Sequence, residues 1–227
     1  MDKIYDRWYK SGKEKEDIME SSHKPFWNKI LRYLKKEDIV DKDILDFGCN
    51  QGGFLRHLYK KYKYKSACGT DLGSDSIKTA VENKKDEPVE YINTPHPNKL
   101  DKKFDTAIST AVIYLIKDIN EHADIIYNSL KENGVYYASH GDYVSLPNLC
   151  DINKYIQDET NLTMNLFSMD MIADAFFKRG FSVSIIRMIP DDFVEVFEND
   201  RWNNYSVKQK LKSVYEESYL FRFQKIK

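Results

Sequence analysis

The sequence predicts an α/β domain in which a mostly parallel, seven-stranded sheet carries helices on both faces. Short apolar runs alternate with segments of helical periodicity along most of the chain, and this alternation favours parallel neighbours joined by crossover helices. The 227 residues are enough to bury a core without disulfide or metal support. A glycine-rich turn follows the first apolar run, at the end of the sheet where such folds bind ligands.

The elements follow in order along the chain. The candidate strands are apolar runs at residues 43–47, 66–70, 89–92, 106–109, 135–139, 182–188 and 219–224. The spacing of apolar residues predicts helices at 54–62, 75–84, 120–130 and 169–179, with a looser crossover at 93–103. No clean crossover helix separates the last two strands, which favours an antiparallel edge strand there.

Two segments lie outside this alternation. Residues 1–41 contain an aromatic-rich, amphipathic stretch, and residues 143–167 separate the fifth strand from the next helix. Long insertions in compact domains are usually functional loops. We therefore expect an N-terminal helical lid at 1–41, a main domain at 42–227, and a second lid at about 143–167.

Composition excludes several classes of protein. The 35 basic and 36 acidic residues give a formal charge of -1, whereas a polyanion-binding protein usually carries a basic excess. No apolar stretch approaches the length of a membrane span, and the first residues lack the apolar core of a secretory signal. Three cysteines without a CxxC pair, Cys49, Cys68 and Cys150, favour a reducing, cytoplasmic location.

The most informative segment is ILDFGCNQGGF at residues 44–54. It is typical of a strand, a tight turn and a helix start, with Gly48 at the turn and Gly52 where backbone approaches a ligand. Asn50 stands where glycine would be ordinary, and Asn tolerates the left-handed backbone region better than most residues. Taken alone, the segment could also be a purely structural strand-to-helix turn.

An acid at the tip of the second strand strengthens the ligand hypothesis. Asp71 ends the run Gly69-Thr70-Asp71, 23 residues after Gly48. A carboxylate there can accept hydrogen bonds from both hydroxyls of an adenosine ribose. Alternatively, Asp71 caps the helix that begins near Ser74.

Asp46 helps to distinguish adenosine cofactors. It lies two residues before Gly48, at the end of the first strand, where its charge would repel a pyrophosphate. A cofactor carrying an ammonium and a sulfonium group would tolerate or use this carboxylate. Alternatively, Asp46 only binds backbone amides of the turn.

The segments ILDFGCNQGG, GTDLGSDSIKTA, FDTAISTAVIYLIKD, LKENGVYYAS and FFKRGFSVSII resemble, in order, the landmarks of class I S-adenosylmethionine-dependent methyltransferases. The resemblance covers about residues 40–190, and ESYLFRFQK near the end is similar to the antiparallel last strand of that family. It implies a Rossmann-like fold for the methyltransferase domain at 42–227, and S-adenosyl-L-methionine as cofactor.

The resemblance also implies roles for individual residues. Those expected around the methionine moiety are Asp46, Gly48, Asn50 and Gly52, with Cys49 in the same turn and Ser109 and Thr110 after the fourth strand. Asp71 would bind the ribose and Leu72 would lie against the adenine. Asn93 and Thr94 follow the third strand, where the family often has an acid that reads the adenine amino group. Asn93 could do this only through its side-chain oxygen.

His140 is the best candidate for a catalytic base. It follows the fifth strand in the run Ser139-His140-Gly141-Asp142, where an imidazole titrating near neutrality could accept a hydroxyl proton. Asp142 could orient the ring or cap a turn instead, and His140 could simply bind loop backbone. The fourth strand lacks the (Asp/Asn)-Pro-Pro-aromatic motif of the amide- and base-amine-methylating members.

Aromatic side chains near the N-terminus are further candidates. Tyr9, with Tyr5 and Trp8, could cover the cofactor, where aromatic faces favour a sulfonium, or could form the buried stripe of a helix. Trp202, Tyr205 and the run at 193–197 could wall the acceptor pocket or only cover the sheet. No Asp, Glu and His set has metal-ligand spacing.

The sequence thus predicts a methyltransferase acting on a small-molecule acceptor, with O-methylation of a hydroxyl on a sugar or other metabolite as the expected reaction. The alternatives are methylation of tRNA or protein, a NAD-dependent oxidoreductase, and a non-catalytic relative that binds S-adenosylmethionine. The neutral charge and an acidic ligand edge count against nucleic acid. The sequence does not indicate an oligomeric state.

Overall fold

The computed structural model describes residues 5–146, 148–196 and 206–226. Within these ranges, seven strands form one sheet in the order β3-β2-β1-β4-β5-β7-β6. The strands are β1 (Asp43–Phe47), β2 (Ser66–Asp71), β3 (Val89–Asn93), β4 (Phe104–Ser109), β5 (Leu130–Gly141), β6 (Phe181–Arg187) and β7 (Ser218–Lys225). The first five strands are parallel, and β7 is antiparallel to both of its neighbours.

Helices cover both faces of the sheet. The α-helices in the described ranges are α1 (Lys13–Tyr33), α2 (Gly53–Lys61), α3 (Ser74–Asn83), α4 (Ile119–Ser129), α5 (Leu149–Glu159), α6 (Met169–Arg179) and α7 (Val207–Glu216). Side-chain caps start three of them: Asp118 for α4, Ser168 for α6 and Ser206 for α7 each accept a backbone N–H of the first turn. None of the described helices combines the length and the apolar composition of a membrane crossing.

Two apolar layers hold these helices against the sheet. On one face, α1, α2 and α3 bury side chains such as Ile30 and Leu55 against Ile44 of β1. On the other face, α4 and α6 pack against residues that include Leu45 and Phe223. The apolar residues of β1 alternate between these layers, which explains why its sequence is a nearly continuous apolar run.

The sequence prediction was wrong about the position of the antiparallel strand. We expected an edge strand, but β7 lies between β5 and β6, and β6 forms the edge. The burial of the two strands explains the arrangement, because Leu220 and Phe221 of β7 are covered on opposite faces. Ile185 and Ile186 of β6 remain nearly half exposed. The connection between the last two strands also contains α7, which we did not predict.

Candidate active site

The direction of strand addition reverses between β1 and β4. From β1, the sheet continues through β2 and β3 on one side and through β4 on the other. Asp46 lies at this switch, paired in register with Gly69 of β2 and Ile108 of β4. Parallel α/β sheets bind ligands at the carboxyl ends of the strands beside such a switch.

The glycine-rich turn after β1 has left-handed backbone at three positions, where φ is 80° at Gly48, 46° at Asn50 and 74° at Gly52. Gly52 cannot be replaced freely, because a Cβ atom there would lie 2.5 Å from the ring of Tyr91. Asn50 is held in its conformation by its own side chain, whose Oδ1 accepts a hydrogen bond from Gln51 N over 2.6 Å. Asn50 therefore substitutes for glycine in this turn.

Two backbone hydrogen bonds fasten the turn to β2. Gly48 N and Cys49 N donate to Thr70 O over 2.8 and 3.0 Å. The Cys49 side chain is buried, and this burial raises the pKa of its thiol well above the ordinary value. The thiol is therefore unsuited to act as a nucleophile.

Asp71 joins the end of β2 to the same turn. Its Oδ2 accepts from Asn50 N over 2.8 Å, and its Oδ1 accepts from Gly73 N over 2.7 Å. Burial raises the pKa of Asp71, while these two backbone hydrogen bonds act in the opposite direction. Because Gly73 is the N-cap residue of α3, Asp71 fixes the turn before the helix and does not cap its first turn. Each oxygen can accept a further hydrogen bond.

Asp46 is a buried carboxyl group that forms no ion pair within the described part of the chain. Neither of its oxygens has a hydrogen-bond partner among the described residues, so the alternative that it binds turn amides is wrong. Burial raises the pKa of Asp46 to about 8, and the negative charge of Asp71 adds to the shift. An unpaired buried acid of this kind is costly to ionise.

The residues after β2 and β3 lie beside Asp71. Asn93 Nδ2 donates to Asp71 O over 2.8 Å, which leaves Asn93 Oδ1 without a partner in the described part of the chain. Thr94 Oγ1 accepts from His96 N over 3.1 Å. Leu72, directly after Asp71, is half-buried.

Ser109 at the end of β4 belongs to a buried hydrogen-bonded chain. Its Oγ accepts from the hydroxyl of Tyr136, which also lies 2.9 Å from Nε2 of His122. Burial lowers the pKa of His122 to about 3, so this chain is uncharged at neutral pH. The Ser109 hydroxyl is thus committed to the core, whereas Thr110 is half-buried at the sheet edge.

His140, near the end of β5, is mostly buried, and neither ring nitrogen has a hydrogen-bond partner among the described residues. Its ring makes edge contacts with Tyr143 and Phe221, at centroid distances of 5.8 and 6.3 Å. Burial lowers the pKa of His140 to about 4, against the opposing effects of the Phe167 backbone and the Asp142 carboxylate. The expectation of a titration near neutrality is therefore corrected, and Asp142 does not bind the ring.

Residues 5–12, which we call the N-terminal strap, cross this edge of the sheet. At one end, Tyr5 forms a backbone bridge with Gly73, and at the other Tyr9 forms one with Thr160. The strap therefore links the end of β2 to the segment that follows α5. Tyr9 lies on the strap and not in a helix, so the interpretation as a buried helical stripe does not hold for it.

Two tyrosines that the sequence analysis missed, Tyr114 and Tyr143, lie beyond the carboxyl ends of β4 and β5. The rings of Tyr114, after β4, and Tyr143, after β5, lie 5.1 Å apart. Burial raises the pKa of Tyr114, with further contributions from Tyr143, Tyr9 and Tyr5. Their positions in the sequence, just after the fourth and fifth predicted strands, could have identified them as candidate site residues.

Glu16 of α1 was also missed, although it is completely buried. It accepts hydrogen bonds from Trp8 N, Gln51 Nε2 and Ser76 Oγ over 2.7, 3.2 and 3.1 Å. Arg7 Nη1 lies 3.4 Å from the same carboxylate. In sequence it is one acid within the charged run KEKED, which suggests a solvated helix face.

Two of the candidate acceptor-pocket residues, Trp202 and Tyr205, lie outside the described residues. Among the residues that are described, no group of three or more His, Cys, Asp or Glu side chains could hold a metal ion.

Known proteins share this sequence pattern and fold. A family model described as a methyltransferase domain matches residues 19–184. A probable RNA methyltransferase of Arabidopsis thaliana is 42% identical over 50 residues, which are 22% of this chain and only 16% of that relative.

The fold is similar to several solved structures. One is a chain of the complex between the Haloferax volcanii Trm112 methyltransferase activator and a methyltransferase (TM-score 0.73, 14% identity, 92% of this chain and 94% of that one). A second is an S-adenosylmethionine-dependent methyltransferase from Mesorhizobium loti (TM-score 0.66, 14% identity, 88% of this chain and 98% of that one). A third is phosphoethanolamine N-methyltransferase 2 of Haemonchus contortus in complex with S-adenosyl-L-methionine (TM-score 0.59, 19% identity, 83% of this chain and 50% of that one).

The family match spans most of the chain, so the chain belongs to the methyltransferase-domain family. Its sheet order and antiparallel β7 are those of class I S-adenosylmethionine-dependent methyltransferases. The predicted family, fold class and enzyme class are confirmed, together with S-adenosyl-L-methionine as the cofactor of this class.

Proposed function

We propose that this chain transfers a methyl group from S-adenosyl-L-methionine to a hydroxyl of a small molecule, such as a sugar or another metabolite. The observation that carries the proposal is the enclosure of the strand ends. The strap is hydrogen-bonded to the end of α5, where Lys10 N donates to Glu159 O, and to the segment after it, where Asn161 N donates to Trp8 O, both over 3.0 Å. Within the expected lid segments 1–41 and 143–167, the strap and residues 148–167 would serve as lids, whereas α1 is part of the core. A lidded site suits a small acceptor better than a polymer.

The residues of the switch region fit the cofactor. An ammonium group beside Asp46 would supply the partner that this buried carboxylate lacks. The turn at Gly48, Cys49, Asn50 and Gly52 would hold the rest of the methionine moiety, with Thr110 rather than Ser109 at the sheet edge.

The adenosine end fits the tips of β2 and β3. Asp71 keeps acceptor capacity for the ribose hydroxyls, and Leu72 would lie against the adenine. Asn93 is oriented by its bond to Asp71 O, so its free Oδ1 is the atom that would accept from the adenine amino group. Thr94 and Tyr9 would border the same space.

The cofactor, when bound, supplies a methyl group on a positively charged sulfur. The protein's part is to align the acceptor with it, to exclude water, and to accept the hydroxyl proton. His140 is neutral at pH 7 because its pKa lies at about 4, so one of its two unpartnered nitrogens carries no proton and can accept one. A base of such low pKa assists best late in the transfer, when the acceptor oxygen becomes acidic.

The test is a screen with methyl-labelled S-adenosylmethionine against fractionated small molecules, total RNA and total protein. We expect the purified chain to place label in a small-molecule fraction, and an Asp71→Ala variant to place none there. Label in RNA alone would contradict the proposal and favour the RNA alternative, which the 50-residue match to the Arabidopsis protein supports. Cofactor binding without labelling of any fraction would favour a non-catalytic role.

The remaining expectations stay predictions. All three cysteines are unpaired, which suits a reducing compartment. Acidic groups such as Asp71, Asp75 and Asp142 at the ligand edge would repel a nucleic-acid backbone.

A further inference from the structure

Glu16 brings together three parts of the molecule that are distant in sequence. Its carboxylate accepts from the strap through Trp8 N, from the cofactor turn through Gln51 Nε2, and from the first turn of α3 through Ser76 Oγ. Arg7 of the strap forms an ion pair with it. The carboxylate itself belongs to α1, which packs on α2 in the main core.

The chemistry of a buried carboxylate makes these bonds mutually dependent. A charged group removed from water needs hydrogen bonds at each oxygen, and the loss of one donor leaves it underbonded. The strap supplies two of the four donors, so an open strap leaves Glu16 partly unsatisfied. Conversely, a fixed Gln51 and Ser76 hold the carboxylate where the strap can reach it.

The turn and α3 are also where the cofactor would bind. Gln51 is adjacent to Asn50, whose N–H binds Asp71, and Ser76 follows Asp71 by five residues. A ligand that holds the turn and the tip of β2 therefore restricts two of the donors of Glu16. Tyr5 and Tyr9 lie at the other end of this connection, on the strap.

We propose that Glu16 is a positioning residue that couples occupancy of the cofactor site to closure of the strap. Cofactor binding orders Gln51 and Ser76, these hold Glu16, and Glu16 holds the strap with Tyr5 and Tyr9 over the cofactor and the adjoining acceptor space. The acceptor chamber is thus completed only after the cofactor is bound. The inference rests on the proposed function, because it takes S-adenosylmethionine as the ligand of the turn.

Hydrogen exchange with and without S-adenosylhomocysteine tests this coupling. The reporters are the amides of Lys10 and Ser74, which bind Glu159 O and Tyr5 O and make no contact with Glu16. In the wild type, saturating ligand should slow their exchange about 5- to 150-fold, the range of ordinary coupling between sites. In Glu16→Gln, which keeps the side-chain shape but cannot accept from all four donors, the ligand should leave their exchange unchanged.

The matched control is Glu14→Gln, an exposed acid in the same first turn of α1, and it should behave like the wild type. Arg7→Met approaches the same connection from the strap and should reduce the ligand-dependent protection without altering the buried carboxylate, in case Glu16→Gln fails to fold. Undiminished ligand-dependent protection in a folded Glu16→Gln, or in Arg7→Met where Glu16→Gln does not fold, would overturn the coupling.

Titration calorimetry on the same samples separates this inference from the proposed function. If the wild type does not bind S-adenosylhomocysteine, the proposed cofactor site is wrong. If it binds the ligand and the exchange of Lys10 and Ser74 does not respond, only the coupling through Glu16 is wrong.

Discussion

Asp46 and His140 are buried ionisable side chains whose pKa values move in opposite directions for one reason. Burial disfavours the charged form of each group, which raises the pKa of Asp46 to about 8 and lowers that of His140 to about 4. Both side chains are therefore mostly neutral at pH 7 before any ligand enters. Perturbed pKa values of this kind cluster at functional sites.

Asp46→Asn should stabilise the ligand-free protein in a pH-dependent way. The pKa of Asp46 is about 8 in the folded chain and 3.8 by its ordinary value, so the unfolded chain loses its proton first and stability falls as pH rises from about 4 to 8. The Asn variant escapes this loss. Its melting temperature should exceed that of the wild type at pH 8.5, by roughly 2–4 °C for each kcal/mol recovered, and by little at pH 4.5.

Asp86→Asn, at an exposed position, is the control for Asp46→Asn, and its melting temperature should follow the wild type at both pH values. The stability gained by Asp46→Asn should accompany weaker binding of S-adenosylhomocysteine, because the amide cannot pair with an ammonium. A difference in melting temperature that is constant between pH 4.5 and 8.5 would contradict the assignment of the buried charge.

His140→Ala should lower kcat about 10²- to 10⁴-fold, the usual contribution of a general base, with little change in the Kd for S-adenosylhomocysteine. In the wild type, kcat/KM should stay level from about pH 8 to 5 and fall as pH approaches 4, because kcat/KM reports the free enzyme and only its neutral imidazole accepts a proton. Steady-state rates on the acceptor from the labelling screen check both points. His96→Ala, at the same edge, should retain kcat, and an unchanged kcat in His140→Ala would rule out the base.

The sequence alone was enough to predict those site residues that belong to a local sequence pattern. Asp46, Asn50 and Asp71 follow from their distances to a glycine turn, and the structure brings them together. Glu16 could not be found in this way, because its donors come from residues 7, 8, 51 and 76 and only the folded chain joins them. The unpartnered state of Asp46 was equally invisible, since the alternative of bonds to turn amides was sterically reasonable.

At the scale of elements, the strap depends on the backbone of Gly12. This residue precedes α1 with φ 103° and ψ -167°, a region that is essentially restricted to glycine. A Cβ atom at Gly12 would meet nothing within 4 Å. The cost of a side chain there is therefore conformational and falls on the strap, while the core remains intact.

Gly12→Ala should loosen the strap without unfolding the domain. The backbone strain of about 1–3 kcal/mol should speed exchange of the Lys10 amide roughly 5- to 150-fold, while amides of β1 keep their protection. Hydrogen exchange of the ligand-free protein measures both. Ser11→Ala, beside it at an exposed position, should leave the Lys10 amide as in the wild type, and equal acceleration in β1 would mean that the whole domain is destabilised.

Burial of apolar residues determines which helices and strands the sequence could predict. The strands and the helices between them carry buried apolar stripes, such as Phe54, Leu55 and Leu58 of α2. By contrast, α7 has apolar residues at helical spacing, Val207, Leu211 and Tyr215, but leaves all three exposed and buries only Lys210, so no buried apolar stripe connects it to the core. The position of β7 inside the sheet depends on pairing between distant strands, which a single strand's composition does not encode.

At the scale of the whole molecule, ligand binding should stabilise the domain as one unit. The proposed cofactor site lies where β1, β2 and β4 meet and where the turn leads into α2. A ligand held there contacts elements from both sides of the switch point, so it cannot be released by fraying of one edge. Unfolding must therefore overcome the binding free energy, which adds to stability by mass action.

S-adenosylhomocysteine at about 100 times its Kd should add about 2.7 kcal/mol, which raises the melting temperature by roughly 5–11 °C for a chain of this length. NAD at the same concentration should not change it, because a pyrophosphate, unlike an ammonium group, cannot pair with the Asp46 carboxylate. Asp71→Ala should lose most of the shift relative to its own ligand-free melting temperature, since the ribose loses its acceptor, whereas Asp101→Ala at an exposed position should keep it. Differential scanning calorimetry decides the matter, and an undiminished shift in Asp71→Ala would mean that the nucleoside is held elsewhere than at the tip of β2.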